Sequence, residues 1–303
     1  MSPFGRAHIV STKRRGVLLA SRTCLEEVAV ILLPPEVVDI DEDLLARIDD
    51  DVKSIYRLIV FSDAHQTTDL LTRYKEALQH LRDVLSVKNA QQEAQTPEEA
   101  LVYLANLKKC LTFMMEEIGN GRTLSGPVDL MLLFRLIAPD VALKHPNSYR
   151  RELVQFGPFL APEPTRIAGL VEQLFTILPE ITHPVVRSAY LHHELVRIHP
   201  FLDGNGRVSR MAKNWLLMHE LYPPIFIYSG IDQSNYITGL QQSFLTLESE
   251  PLVMNPMTRQ FFQDEARRIK ASTAFILNRM RHNPEIDFGP SDSDCCPSVR
   301  PHK

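Results

Sequence analysis

Cysteine is scarce in this chain: there are four in 303 residues, Cys24, Cys110, Cys295 and Cys296, with no CxxC pair among them. That shortage excludes a zinc ribbon or a disulfide scaffold and points to a reducing compartment, so a cytoplasmic location is expected. Surplus charge is also lacking. A formal net charge of -4 leaves no basic excess to exchange for counterions, which indicates no nucleic-acid partner. Long apolar runs are missing as well. The longest candidate, Val28 to Leu33, stops at Pro34-Pro35, far short of the about 18 residues of a membrane span. The basic run Lys13 to Arg15 precedes a few apolar residues, but Arg22 and Glu26-Glu27 interrupt them before a signal peptide could form. What the chain does have is a hydrophobic fraction of 44%, enough for a large core.

The apolar spacing is helical over most of the length. Leu44, Leu45, Ile48, Val52, Ile55, Leu58 and Ile59 recur every three or four residues behind an acidic start at Asp41, and a second periodic stretch runs from about 68 to 87. Thr96-Pro97-Glu98-Glu99 carries an N-cap, a proline for the first turn and a capping-box glutamate, and predicts a helix to about Ile118, ended by Gly119-Asn120-Gly121. Pro127 opens another. Prolines at 139, 146, 158, 162 and 164 predict a loop or hairpin, and helical periods resume over 167–178, from 184, after Gly206, and near 232–249 and 255–281. The expected fold is mostly α, a helical bundle with one short β-hairpin. Residues 1–95 read as a mainly helical N-terminal extension of unassigned role, 96–283 as the principal domain with its flanking helices, and 284–303 as a disordered tail. The segment Val28 to Leu33 fits a strand or a short helix.

One segment carries chemistry: His199-Pro200-Phe201-Leu202-Asp203-Gly204-Asn205-Gly206-Arg207-Val208-Ser209-Arg210. Asp-Gly and Asn-Gly are turn dipeptides, and glycines on either side of Asn205 permit left-handed backbone that turns successive N–H groups into one concavity. A helix starting there adds its free amides and positive dipole end. Arg207 and Arg210, three apart, place two guanidinium groups on the same side. A di- or triphosphate suits such a cradle, and Asp203 is a hard oxygen ligand of the type that shares Mg²⁺ with phosphates. His199, with an ordinary pKa near ~6.5, can accept a hydroxyl proton at neutral pH. His193 lacks a second histidine at HExxH spacing, because position 197 is arginine, so no zinc site is expected there.

These twelve residues resemble the motif of the Fic (Fic/Doc) domain family, and weaker similarity runs from about 100 to 250, through Leu191 to Glu194, His145 to Arg150, and Tyr236 with Leu240. The resemblance implies a helical domain that transfers AMP from ATP to a Ser, Thr or Tyr hydroxyl of a protein, releasing pyrophosphate. It implies His199 as general base, Asp203 holding Mg²⁺, and Gly204, Asn205, Gly206, Arg207 and Arg210 binding phosphates, with Phe201 packed in the core. The hairpin in 150–162 would dock the target segment, and Tyr236 would line the adenine pocket. Gly204 and Gly206 differ from the Ala and Lys of the phosphate-transferring Doc branch, favouring nucleotidyl transfer. The implied partners are ATP and a protein substrate of unassigned identity, with a homodimer or an antitoxin-like regulator compatible with the family.

Many such proteins carry an inhibitory (S/T)xxxE(G/N) helix. Thr112 to Glu116 matches its first part, with Glu117 in place of Gly or Asn, which makes Glu116 the candidate inhibitor; Thr246 with Glu250 fits the same sparse spacing. Two other readings stay open: a nucleotide-binding regulatory protein that does not turn over, and a Fic enzyme that uses another nucleotide or removes AMP.

Overall fold

The computed structural model describes residues 8–9, 32–144, 149–227 and 230–282. Ten α-helices are present among them: α1 Glu42–Val60, α2 Ala64–Glu93, α3 Pro97–Gly119, α4 Pro127–Ile137, α5 Pro139–Lys144, α6 Ile167–Ile177, α7 Pro184–Ile198, α8 Asn205–His219, α9 Ile231–Ser249 and α10 Pro256–Arg281. Their starts follow local chemistry. Asp41 accepts the Leu44 amide at 3.0 Å ahead of α1. Thr96 accepts the Glu99 amide at 3.2 Å ahead of α3, while the Glu99 carboxylate takes the Gln95 amide at 2.8 Å, one residue outside the expected box. Gly121 follows α3 in the left-handed region at φ 73.

The centre is the antiparallel pair α7 and α8. Both are buried along nearly their whole length, on every face, which places them inside a shell of other helices. α2, α3 and α4 touch α8, and α10 packs on α1, α2, α7 and α9. One hydrophobic core runs through all of them: Ile48, Leu81 and Leu85 share it with Leu191, Met211, Trp215 and Phe262. The helices of the N-terminal third therefore bury their apolar stripes against the same core as the rest.

The proline-rich stretch differs in part from expectation. Pro139–Lys144 is a short helix, and the hairpin that follows has β2 Val154–Phe156 and β3 Phe159–Leu160 joined at Gly157, φ 59. A third strand, β1 His8–Ile9, pairs antiparallel with β2, so the sheet order is β1-β2-β3. Val28 to Ile31, the residues 145–148 and the C-terminal tail lie outside the described residues. Among the described residues, no helix is long and apolar enough to cross a membrane.

Candidate active site

α7 ends on His199 in a left-handed conformation, φ 52 and ψ 59, a region that costs a non-glycine residue on the order of 1 kcal/mol. Arg150 holds it there. Its guanidinium Nε donates to the His199 carbonyl and Nη2 to the Pro162 carbonyl, each at 2.7 Å, and its backbone N–H donates to the Pro200 carbonyl at 2.9 Å. The loop is then anchored by Phe201, stacked on Phe134 with centroids 4.0 Å apart, as the resemblance implied. Asn205 closes it: its side-chain oxygen accepts the Phe201 amide at 2.8 Å and its Nδ2 donates to the Phe201 carbonyl at 2.7 Å. The Asn205 side chain is thus committed to the loop, leaving only its backbone amide for a phosphate.

Gly204 caps α8 with φ 81, supplies no side-chain hydrogen bond to the first amides, and has Ala138 Cβ only 3.2 Å from where its own Cβ would sit. The helix start therefore keeps donors that an anion can take. Asp203 stands beside it, one carboxylate oxygen accepting the Gly204 amide at 2.7 Å and the other 3.9 Å from Arg207 Nη2.

Both motif arginines are buried, and both grip one carboxylate. Arg207 Nε lies 2.7 Å from Glu93 Oε2 and Arg210 Nη2 2.8 Å from Glu93 Oε1. Arg210 Nε also donates to Asn89, and the Arg207 guanidinium sits 3.6 Å over the Tyr103 ring. Burial alone would raise the Glu93 pKa, but Arg210 and Arg207 outweigh it and hold the carboxyl below its usual range. Glu93 is the last residue of α2, six residues beyond the periodic stretch seen in the sequence. Glu116, the expected inhibitor, is exposed near the end of α3 and is not the carboxylate on these arginines. The reason is facial: the buried side of α3 is Asn106, Leu107, Cys110, Leu111 and Met114, which turns Thr112 and Glu116 outward. The signal that could have found Glu93 is the buried stripe Leu81, Leu85 continuing as polar Asn89 and Gln92. Asn89 and Ala94 stand where the inhibitory pattern has Ser/Thr and Gly/Asn.

The His199 imidazole is buried and neutral. Burial, with Arg150 nearby, lowers its pKa to about 4, against smaller opposing effects of the Val196 carbonyl and Glu93. Nδ1 lies 3.3 Å from the Val196 carbonyl, which can only accept, so Nδ1 carries the hydrogen and Nε2 is the basic atom. The Phe156 ring of β2 lies 6.2 Å away.

Tyr236 is buried. Its hydroxyl is 2.9 Å from His192 Nε2 and its ring stacks on the His192 ring, deep between α7, α9 and α10. It belongs to a second buried cluster, in which Lys213 pairs with Glu265, His192 Nδ1 lies 3.0 Å from Glu265, and Arg268 bridges Glu265 and Asp232. His193 is a satisfied core histidine, held by Glu194 at 2.7 Å and Ser243 at 3.0 Å.

The helical bundle thus presents a basic histidine at a helix end, followed by a helix start with no side-chain cap and two buried arginines. Residues 130–217 match the Fic/DOC family, and the chain carries a Fic domain. It is 39% identical over 103 residues to protein adenylyltransferase Fic of Drosophila persimilis, covering 33% of this chain and 20% of that protein. The Drosophila melanogaster protein of the same name is 38% identical over 103 residues, 33% of this chain and 21% of its own length. The chain spans about a fifth of the length of these curated relatives. In fold it is similar to a Fic domain containing signaling protein from Bacteroides thetaiotaomicron, with TM-score 0.60, 20% identity, and coverage of 78% of this chain and 97% of that one. It is also similar to Fic-1 from C. elegans, with TM-score 0.61, 15% identity, and coverage of 79% and 72%.

Proposed function

We propose that the chain transfers AMP from ATP to a hydroxyl side chain of another protein, releasing pyrophosphate. The observation that carries this reading is one loop and helix start holding a neutral imidazole, with Nε2 as its base, beside two arginines already clasping an anion. In the reaction, Nε2 of His199 takes the acceptor hydroxyl proton, the oxygen bonds to the α-phosphorus, and the bond to the pyrophosphate oxygen breaks. The α8 amides and the two guanidinium groups balance the phosphate charge. The name borne by the fruit-fly relatives, protein adenylyltransferase, agrees with this chemistry.

The residues fit Mg²⁺ as a companion of the nucleotide. Asp203 is a single, partly exposed carboxylate beside the cradle, and no group of three His, Cys, Asp or Glu side chains that could hold a metal occurs among the described residues. Asp203 would hold the ion, which supplies charge neutralisation on the phosphates; the remaining ligands would come from phosphate and water oxygens. The buried free thiol of Cys110 agrees with a cytoplasmic setting.

Glu93 holds the arginines where outer phosphate oxygens would bind, so the chain rests in a self-inhibited form. The role expected of Glu116 passes to Glu93. The test is α-labelled ATP with Mg²⁺ and cell lysate, applied to the parent chain, to Glu93→Ala, and to Glu93→Ala with His199→Ala. Protein label should rise with Glu93→Ala and fall at least about a hundredfold when His199 is also removed. Absence of label from every variant that still binds ATP would favour a nucleotide-binding regulator instead.

A further inference from the structure

The hairpin lies against the base. Arg150 ties the loop at His199 and Pro200 to Pro162 at the far foot of the hairpin, and Phe156 brings its ring to 6.2 Å from the His199 ring. A strand laid along the outer edge of β2 therefore runs beside the reacting centre. That edge has specific hydrogen-bonding groups. The Val154 carbonyl accepts the Ala161 amide at 3.1 Å, and Phe156 pairs with Phe159 at the turn, so both residues direct their backbone groups to the β3 side. Strand alternation then turns the N–H and C=O of Gln155 outward. Unpaired groups of this kind are a template for an added strand of almost any sequence.

The edge is taken by the chain itself. β1 pairs antiparallel along it, His8 opposite Gln155 and Ile9 opposite Val154. The resemblance already implies that the hairpin docks the target segment; we propose that the N-terminal segment of this same chain, through His8–Ile9, is the resident occupant of the outer edge of β2, and that a protein acceptor must displace it. The proposal rests on the nucleotidyl-transfer reading for its functional meaning. Two paired residues make a weak strand. Being on the same chain, however, the segment competes at an effective concentration on the order of millimolar, enough to exclude weak acceptors and to yield to one with further contacts. This restraint is separate from Glu93: one occupies the phosphate seat and the other the acceptor seat.

His8 faces Gln155, so His8→Pro removes the N–H that the edge receives there. The experiment compares full-length Glu93→Ala with full-length Glu93→Ala, His8→Pro, using amide hydrogen exchange at Gln155 and label transfer from α-labelled ATP to lysate proteins. The Gln155 amide should exchange several-fold faster in the proline chain and slow again on adding about 1 mM synthetic peptide spanning residues 4–12 of this sequence, consistent with the tether concentration. Label transfer should rise several-fold in parallel and be suppressed by the same peptide. Equal Gln155 exchange in the two chains, or no response to the peptide, overturns the proposal. Altered exchange with no label in either chain would leave strand docking standing and strike the transfer reading instead.

Discussion

Two buried ion clusters sit on successive turns of α8, and they are built to different ends. Arg207 and Arg210 grip Glu93; Lys213, one turn further on, grips Glu265 within reach of His192, Tyr236 and Arg268. In both, the carboxyl is held below its ordinary pKa by the cations despite burial. The difference lies in what surrounds them. Glu265 lies within α10, enclosed by His192 of α7, Lys213 of α8 and Arg268 of its own helix. Glu93 ends α2, four residues before α3 begins, and faces a helix start that has no side-chain cap. Under the proposed function, one kind of ion pair thus serves as a permanent fastening in the core and as a removable occupant at the site. Burial of charge alone says nothing about which.

Removing each carboxylate in turn should separate the two clusters most strongly. Glu265→Ala strands a buried ammonium and should cost about 3–5 kcal/mol in chemical denaturation, whereas Lys213→Met with Glu265→Leu should recover most of that loss. Glu93→Ala should behave otherwise: ATP affinity by calorimetry should rise at least about tenfold, since about 1.4 kcal/mol is the least that vacating two arginines should return. Saturating ATP should then offset whatever stability the substitution removes. A Glu93→Ala chain as unstable as Glu265→Ala, with unchanged ATP affinity, would erase the distinction.

The two clusters also differ in their response to pH. In the folded protein burial and Lys213 lower His192 to about 3, against a free value of 6.5. Glu265 lies well below 4.5, where Lys213 and His192 overcome burial. The unfolded chain therefore binds more protons as pH falls below 6.5, and stability must decline across that window toward pH 3. The melting temperature should drop from pH 7 to 4, less steeply in Lys213→Met, Glu265→Leu. His199, lowered to about 4, stays a free base above that value, so transfer by the Glu93→Ala chain should not decline between pH 8 and 5 through protonation of this group.

Much of this was legible in the residues. The acidic start at Asp41, the cap at Thr96 and the loop from His199 to Arg210 were each specified by local chemistry, and α1, α3 and α8 formed where that chemistry placed them. Glu93 was not legible. A helix position is read as surface when it is polar, but Asn89, Gln92 and Glu93 are polar because their partners are an arginine pair and a backbone carbonyl across the molecule. The Thr112 to Glu116 match illustrates the converse, since spacing carries no information about which side of a helix faces the core. Tyr236 carries the same lesson: its residue type was visible and its partner, His192, was not.

Arg150 also mounts the hairpin. Its guanidinium collects carbonyls from the end of α7 and from both feet of the hairpin, Glu152 and Pro162. The position of the strand pair relative to the base is therefore set from outside the strands. One guanidinium thus fixes both ends of the segment 153–161, while Val154, Phe159 and Ala161 anchor its middle in the hydrophobic core.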